Sequence, residues 1–333
     1  MKKVLYLFGA GASANCIPIV SGISREMTSL KNTLYETIDR NDGSYEPVFL
    51  SNILSNEFIE DCNWLGENGV KHGTIDVFAK KLYLKRKTND LKRLKRTLSF
   101  FLLFKQMQVP NDNRYDIFLT TVMKLKDEDM YIPDEVILGT WNYDNQILIS
   151  LLNILGSFEL NHALQYINIQ PWHKGKSGKE GIPKLFHSNG MAGFVSLPFQ
   201  TEDFYHFLTK QFNRESAEEF NKIYDKIGKE NSAQFQINFA WENVGEIEVA
   251  RSEFIKSLAN VETFVVIGYS FPTFNREYDK RLFKEAKSLK KIYVQDKAPD
   301  GIIERVRSLL EEDLVIIPVG GTDQFYIPVE LSI

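Results

Sequence analysis

The feature that most constrains this chain is a set of short, almost wholly apolar runs, each stopped abruptly by glycine or a polar cluster. Val4-Leu5-Tyr6-Leu7-Phe8 ends at Gly9-Ala10-Gly11-Ala12-Ser13, Glu135-Val136-Ile137-Leu138 at Gly139-Thr140-Trp141-Asn142-Tyr143-Asp144, and Thr263-Phe264-Val265-Val266-Ile267 at Gly268. A strand with no polar face has to be covered on both sides, which is the situation of a parallel sheet. Helical spacing follows at Ile147 to Leu155, Asn275 to Ala286 and residues 300–310, interleaved with apolar runs at Lys291-Ile292-Tyr293-Val294 and Leu314-Val315-Ile316-Ile317. Strands alternating with helices predict an α/β fold with a Rossmann-like, doubly wound parallel sheet.

Between Ser24 and Lys126 no strand pattern is evident. Apolar residues there recur at helical spacing, as in Ile75, Phe78, Ala79 and Leu82, so the expectation is a helical insertion over 31–131 within a sheet domain of 1–30 plus 132–333. Residues 80–96 carry nine basic side chains against one acidic. They read as a solvated amphipathic helix pair, with a docking face for a partner or for phosphate backbone as the sharper alternative, although Tyr83 is the one aromatic there to stack on bases. Tyr166 to Ile169 and Lys184-Leu185-Phe186-His187 are expected strands, Lys174 to Lys179 a basic turn, and 201–227 a polar amphipathic helix.

Composition excludes several classes. At 333 residues with 43% hydrophobic content the chain has material for a substantial core. Its two cysteines, Cys16 and Cys62, are too few for a disulfide-stapled module or a four-thiolate zinc site, so no metal is expected. No segment approaches the ~18 apolar residues that span a bilayer, and a net charge of −4 gives no global pull toward nucleic acid. A cytoplasmic protein without membrane or direct nucleic-acid contact is expected.

Gly9-x-Gly11 after the first strand, with Ala14 completing a G-x-G-x-x-A pattern, predicts a tight turn that approaches a pyrophosphate and offers it amide N–H groups at a helix terminus. A nicotinamide dehydrogenase would end a second strand in an acidic residue about twenty residues later. Here Glu26 and Glu36 lie in helical patterns, which disfavours that class.

Gly9-Ala10-Gly11-Ala12-Ser13 followed by Ile17-Pro18 resembles the opening motif of the sirtuin family, which binds NAD in an atypical Rossmann domain. Thr140-x-Asn142-x-Asp144 resembles that family's T-x-N-x-D motif, His187 falls where it places a catalytic histidine, and Gly268-Tyr269-Ser270-Phe271 is similar to its glycine-serine phosphate loop. The block Gly73 to Lys81 and the variant ending at Pro272 look more like bacterial sirtuin-like antiphage effectors than like protein deacetylases. The departures are Cys16 before Ile17, Ile19-Val20 in place of acidic and aromatic residues, Ser188-Asn189 after His187, and the missing zinc-binding cysteines.

The resemblance implies a sheet of the sirtuin type and a catalytic set of Asn142, His187 and Asp144. Asn142 would hold ribose hydroxyls and water, His187 would act as general base, and Asp144 would orient nicotinamide or the loop. NAD contacts are implied at Gly9, Ala10, Gly11, Ser13, Thr140, Gly268 and Ser270. Asp296, past the strand at Tyr293-Val294, is a candidate for the adenosine ribose, and Gly320-Gly321 for the adenine edge. Helix capping is the competing reading for Asn142, Ser13 and Ser270, and His72, His162, His173 and His206 are assigned no role.

The implied activity is hydrolysis of NAD+ to nicotinamide and ADP-ribose or a cyclic relative, by an antiphage effector that depletes cellular NAD+. Unchecked depletion is lethal, so the resemblance also implies a homo-oligomer gated by a separate partner, such as a HerA-type ATPase, a short Argonaute or a sensor. NAD-dependent protein deacylation and non-catalytic binding of NAD or ADP-ribose are the alternatives.

Overall fold

The computed structural model describes residues 3–38, 45–109, 111–127, 129–171, 182–197, 201–243, 245–311 and 313–331. The chain forms two compact units: Met1–Asn15, Asn111–Gly190 and Asn238–Ile333 make the first, Cys16–Pro110 and Met191–Ile237 the second. Lys174 to Lys179 and His173 lie outside the described residues.

The first unit is built on strands β1 (Lys3–Phe8), β2 (Val136–Thr140), β3 (Asn168–Gln170), β4 (Lys184–His187), β5 (Val261–Ile267), β6 (Lys291–Gln295) and β7 (Val315–Val319). All pair in parallel, in the order β7-β6-β5-β1-β2-β4-β3. The chain therefore winds from β1 through β2, β3 and β4 on one side, then returns to build β5, β6 and β7 on the other. This is the Rossmann-like α/β arrangement that the apolar runs predict.

Both faces are covered, as such strands require. On one, Leu5, Leu7, Phe264, Val266, Ile292 and Val294 share a core with residues of helices Gly245–Ser257, Arg276–Glu285 and Asp300–Arg307. On the other, Tyr6 meets Phe118 and Phe8 meets Tyr115, both of helix Asn113–Val122, at centroid distances of 4.6 and 5.6 Å. Gly139 in β2 leaves room for the first of these layers, since a Cβ there would lie 2.3 Å from the Phe254 ring.

The second unit is mainly helical, with helices Val20–Ser29, Asn56–His72, Ile75–Leu84, Thr88–Gln108 and Arg214–Lys229. Its core is aromatic: Tyr224 sits edge-on to Phe58 and Phe100, at 4.9 and 5.1 Å. Three expectations are corrected. The stretch read as strandless contains an antiparallel pair, Leu34–Ile38 with Tyr45–Phe49, and a short one, Lys124–Lys126 with Asp129–Tyr131. Both are too short for a period-two pattern to stand out from helical spacing.

The unit boundaries also differ from 31–131. Helix Asn113–Val122 joins the sheet unit because Tyr115 and Phe118 bury against β1, whereas Phe212 and Phe235 pack on Phe104 and Phe100 of the helical unit. The helix expected over 201–227 begins only at Arg214, where Asn213 and Ser216 cap each other reciprocally. Strand Thr201–Asp203 and a 3-10 turn, Tyr205–Thr209, precede it.

The basic stretch 80–96 straddles two helices rather than forming one cationic face. Arg93 and Arg96 turn onto Asp61, each at 2.5 Å, and stack over the rings of Trp64 and Tyr224. The Tyr224 hydroxyl donates to the same carboxylate at 2.5 Å, and Lys92 donates to the carbonyls of Glu230 and Asn231. The turn spanning Tyr83 to Asn89 stays exposed. Asp61→Asn strips the charge from a buried hub, and the expected cost is about 3–5 kcal/mol in urea denaturation. A loss below about 0.5 kcal/mol would mean the arginines recover their solvation elsewhere. Among the described residues no helix is long and apolar enough to cross a membrane.

Candidate functional site

Strand register sets the geometry of the site. Phe8 at the end of β1 is level with Thr140 on one side and Ile267 on the other; Thr140 is level with His187, and Ile267 with Gln295. The backbone just past these ends is stitched across. Trp141 N–H donates to Phe8 O (3.1 Å), Ser188 N–H to Thr140 O (2.8 Å), Gly9 N–H to Ile267 O (2.9 Å) and Gly268 N–H to Gln295 O (3.0 Å). The motifs at 9–13, 140–144, 187 and 268 therefore share one edge, the carboxyl edge where open parallel sheets bind ligands.

The glycine turn is shaped by the neighbouring turn. A Cβ on Gly9 would lie 2.4 Å from the Tyr269 Cα, and one on Gly11 2.8 Å from the Gly268 Cα. Gly268 itself has φ +58°. The expected cradle of free amides is corrected: Gly9, Gly11, Ala12 and Ala14 all donate to backbone carbonyls. The turn runs into one 3-10 turn, Ala10–Ser13, not into a full helix, and Ala14 is exposed at its end. Residues 14–19, with Pro18 lacking an N–H, separate it from the next helix.

Thr140, Asn142 and Asp144 form two successive side-chain-to-backbone turns. Thr140 Oγ1 accepts from Asn142 N–H at 2.9 Å, and Asp144 Oδ1 from Gln146 N–H at 3.2 Å. Asp144 thus satisfies the first amide of helix Gln146–Ile154, whose N-cap residue is Asn145. Asn142 instead reaches across the sheet, its Nδ2 donating to Gly9 O at 2.9 Å and approaching Ser13 Oγ at 3.4 Å. Those bonds leave Oδ1 as the end of the amide not committed to the turn. Ser13 is buried and bonded to the Tyr115 hydroxyl at 2.9 Å. Burial raises the Asp144 carboxyl to about 6, against the lowering effect of hydrogen bonds from Gln146 and Ser13.

His187 ends β4 and is 3% exposed. Its Nδ1 lies 3.4 Å from the Asn142 carbonyl. Burial lowers its pKa to about 4, although hydrogen bonds to the Asn142 and Gly190 backbone act the other way. The following turn is clamped by Arg251, 1% exposed, which donates to the carbonyls of Ser188, Phe239 and Glu242 and to Asn189 Oδ1. Asn189 Nδ2 in turn holds Trp141 O at 3.1 Å. On the other flank Arg114 pairs with Asp112 and donates to Ala12 O at 2.8 Å. Neither arginine was legible as a site residue, because each is far in sequence from the motif it holds.

These two titrations oppose each other. The unfolded histidine binds a proton near 6.5, so His187 costs the fold stability as pH falls from about 6.5 to 4. The unfolded aspartate loses its proton near 3.8, so Asp144 restores stability as pH falls from about 6 to 3.8. Each amounts to about 3 kcal/mol. Asp144→Asn is therefore expected to lose stability on acidification relative to the parent, and His187→Gln to gain it. Urea midpoints at pH 7 and 4.5 measure this, and parallel profiles in the two variants would refute it.

Four remaining candidates stand apart from the buried cluster. Ser270 is exposed, and the half-buried Asp296 accepts from Ala298 N–H at 2.9 Å as an ordinary turn residue. Gly320 and Gly321 are exposed with open space around them. Among the described residues, no group of three or more His, Cys, Asp or Glu is placed to hold a metal. No family model matches the chain, and no curated protein matches it.

Proposed function

We propose that the chain is a sirtuin-like NAD+ glycohydrolase that cleaves the nicotinamide–ribose bond. The observation that carries this reading is the convergence of the glycine turn, Asn142, Asp144 and His187 on one strand edge, with Asn142 Nδ2 bonded to Gly9 O. Two buried polar atoms beside them, Ser188 Oγ and Trp141 Nε1, have no hydrogen-bond partner among the described residues. The Trp141 ring packs in the core against Tyr269 and Tyr278, so Ser188 Oγ is the one assigned to a polar ligand. Because most amides of the glycine turn are committed, the pyrophosphate is assigned mainly to side chains and the Ala10 amide.

In the reaction the C–N bond electrons leave with nicotinamide, positive charge develops on the ribose, and water adds at the anomeric carbon with loss of a proton. Asn142 Oδ1 accepts from ribose hydroxyl or water and orients it. Asp144, ionised above about pH 6, is better matched to take up the proton at neutral pH than His187, whose pKa is near 4. His187 is assigned instead to positioning the Asn142 backbone. This exchanges the roles that the resemblance implies.

On the same reading the protein is a defence effector, active in a homo-oligomer or with a partner such as a HerA-type ATPase. The test is chromatographic: purified chain, alone and with the product of its genomic neighbour, is incubated with NAD+ and nicotinamide is followed. Nicotinamide and ADP-ribose formed without any acyl-peptide support the proposal. Release only with an acyl-lysine peptide would make it a deacylase, and binding without turnover a nucleotide-binding module.

A further inference from the structure

We propose that a groove at the amino-terminal end of the sheet, opposite the candidate active site, is a docking site for an acidic amphipathic segment of a partner protein. The groove encloses about 610 Å3 between helix Arg276–Glu285 on one side and Ser308 to Glu311 with Leu314 on the other, just ahead of β7. Its floor is apolar. Phe283, Leu309, Leu310 and Leu314 are half-buried: they pack inward on the core of the first unit and turn their remaining surface to the groove.

Its rim is cationic. Lys280, Lys284 and Lys287 follow one another at i, i+4 and i+7, are exposed, and make no ion pair among the described residues. Arg281 beside them is 3.7 Å from Glu248. Against these four cations the lining carries two acids, Glu277 and Glu311, with partly exposed Glu285 and exposed Asp313 next to it in sequence. Positive charge thus exceeds negative along the lining, where leucine and phenylalanine surface is open. That combination complements a helix with leucines on one face and carboxylates beside them, the helix-in-groove mode of recognition.

A nucleic acid fits less well, because single strands are held by several stacking aromatics along a basic track, and the groove offers Phe283 alone. Strands β6 and β7 each span five residues, so the groove is about 15–20 Å from the carboxyl edge. An occupant leaves the candidate site open. The proposal does not depend on the reaction assigned to that site.

Fluorescence anisotropy on the full chain tests it with four labelled probes: a glutamate/leucine amphipathic helical peptide, versions with lysine for glutamate or serine for leucine, and a single-stranded oligonucleotide. The glutamate/leucine peptide is expected to bind best, with affinity falling about tenfold or more for the combined Lys280→Glu, Lys284→Glu, Lys287→Glu variant and for Leu310→Ser. Unchanged thermal melts show that these variants still fold. Preference for the oligonucleotide, equal binding of all peptides, or an affinity that the folded variants leave unaltered would each overturn the proposal.

Discussion

Asn142→Ala is expected to slow nicotinamide release by about two to three orders of magnitude, the loss usual when one preorganised polar group is taken from a reacting centre. The same change is expected to cost only about 1–2 kcal/mol of stability, because it deletes the hydrogen bond to the Gly9 carbonyl and the longer one to Ser13 Oγ. That separation makes the variant informative. Asn142→Asp is the harsher companion: it replaces the donor facing Gly9 O with a carboxylate oxygen and adds a negative charge to the cluster that contains buried Asp144. Single-turnover release and urea denaturation on both variants measure the two quantities. Release at the parent rate from folded Asn142→Ala would remove Asn142 from the site.

Gly268→Ala is expected to destabilise the fold by about 2–5 kcal/mol and to disorganise the glycine turn with it. Two costs add. Alanine is strained at φ +58°, and its Cβ would lie 2.4 Å from the Ala12 nitrogen and the Gly11 carbonyl carbon. These are backbone atoms, so no side-chain rotation relieves the contact. Gly320→Ala, where a Cβ meets nothing within 4 Å, is the control and is expected to stay within about 0.5 kcal/mol of the parent. Equal denaturation midpoints for the two variants would show that the interlocked turns tolerate displacement.

Much of the sheet was legible because burial on both faces leaves short apolar runs closed by glycine; Phe100 to Phe104 is an apolar run of the same length inside a helix, and no glycine closes it. Runs such as Thr263 to Ile267, closed by glycine, mark both the strand and its end. The hairpin of Leu34–Ile38 and Tyr45–Phe49 was not legible, because five-residue strands with mixed residues match helical spacing equally well. The site was half legible. Asn142 and Asp144 stand in a short motif whose local turns are encoded by their own side chains. The motif does not reveal that His187 is sealed from solvent, nor that Arg251 and Arg114 hold the flanking turns.

By itself the sequence determined a parallel, doubly covered sheet and the placing of its chemistry-bearing residues at strand ends, since both follow from local patterns of apolar runs and turn residues. Tertiary structure alone decided what those residues do to one another. Register across β5, β1, β2 and β4 brings segments more than a hundred residues apart to one level. Burial there, a property of the whole packed unit, raises the Asp144 carboxyl to about 6 and lowers His187 to about 4.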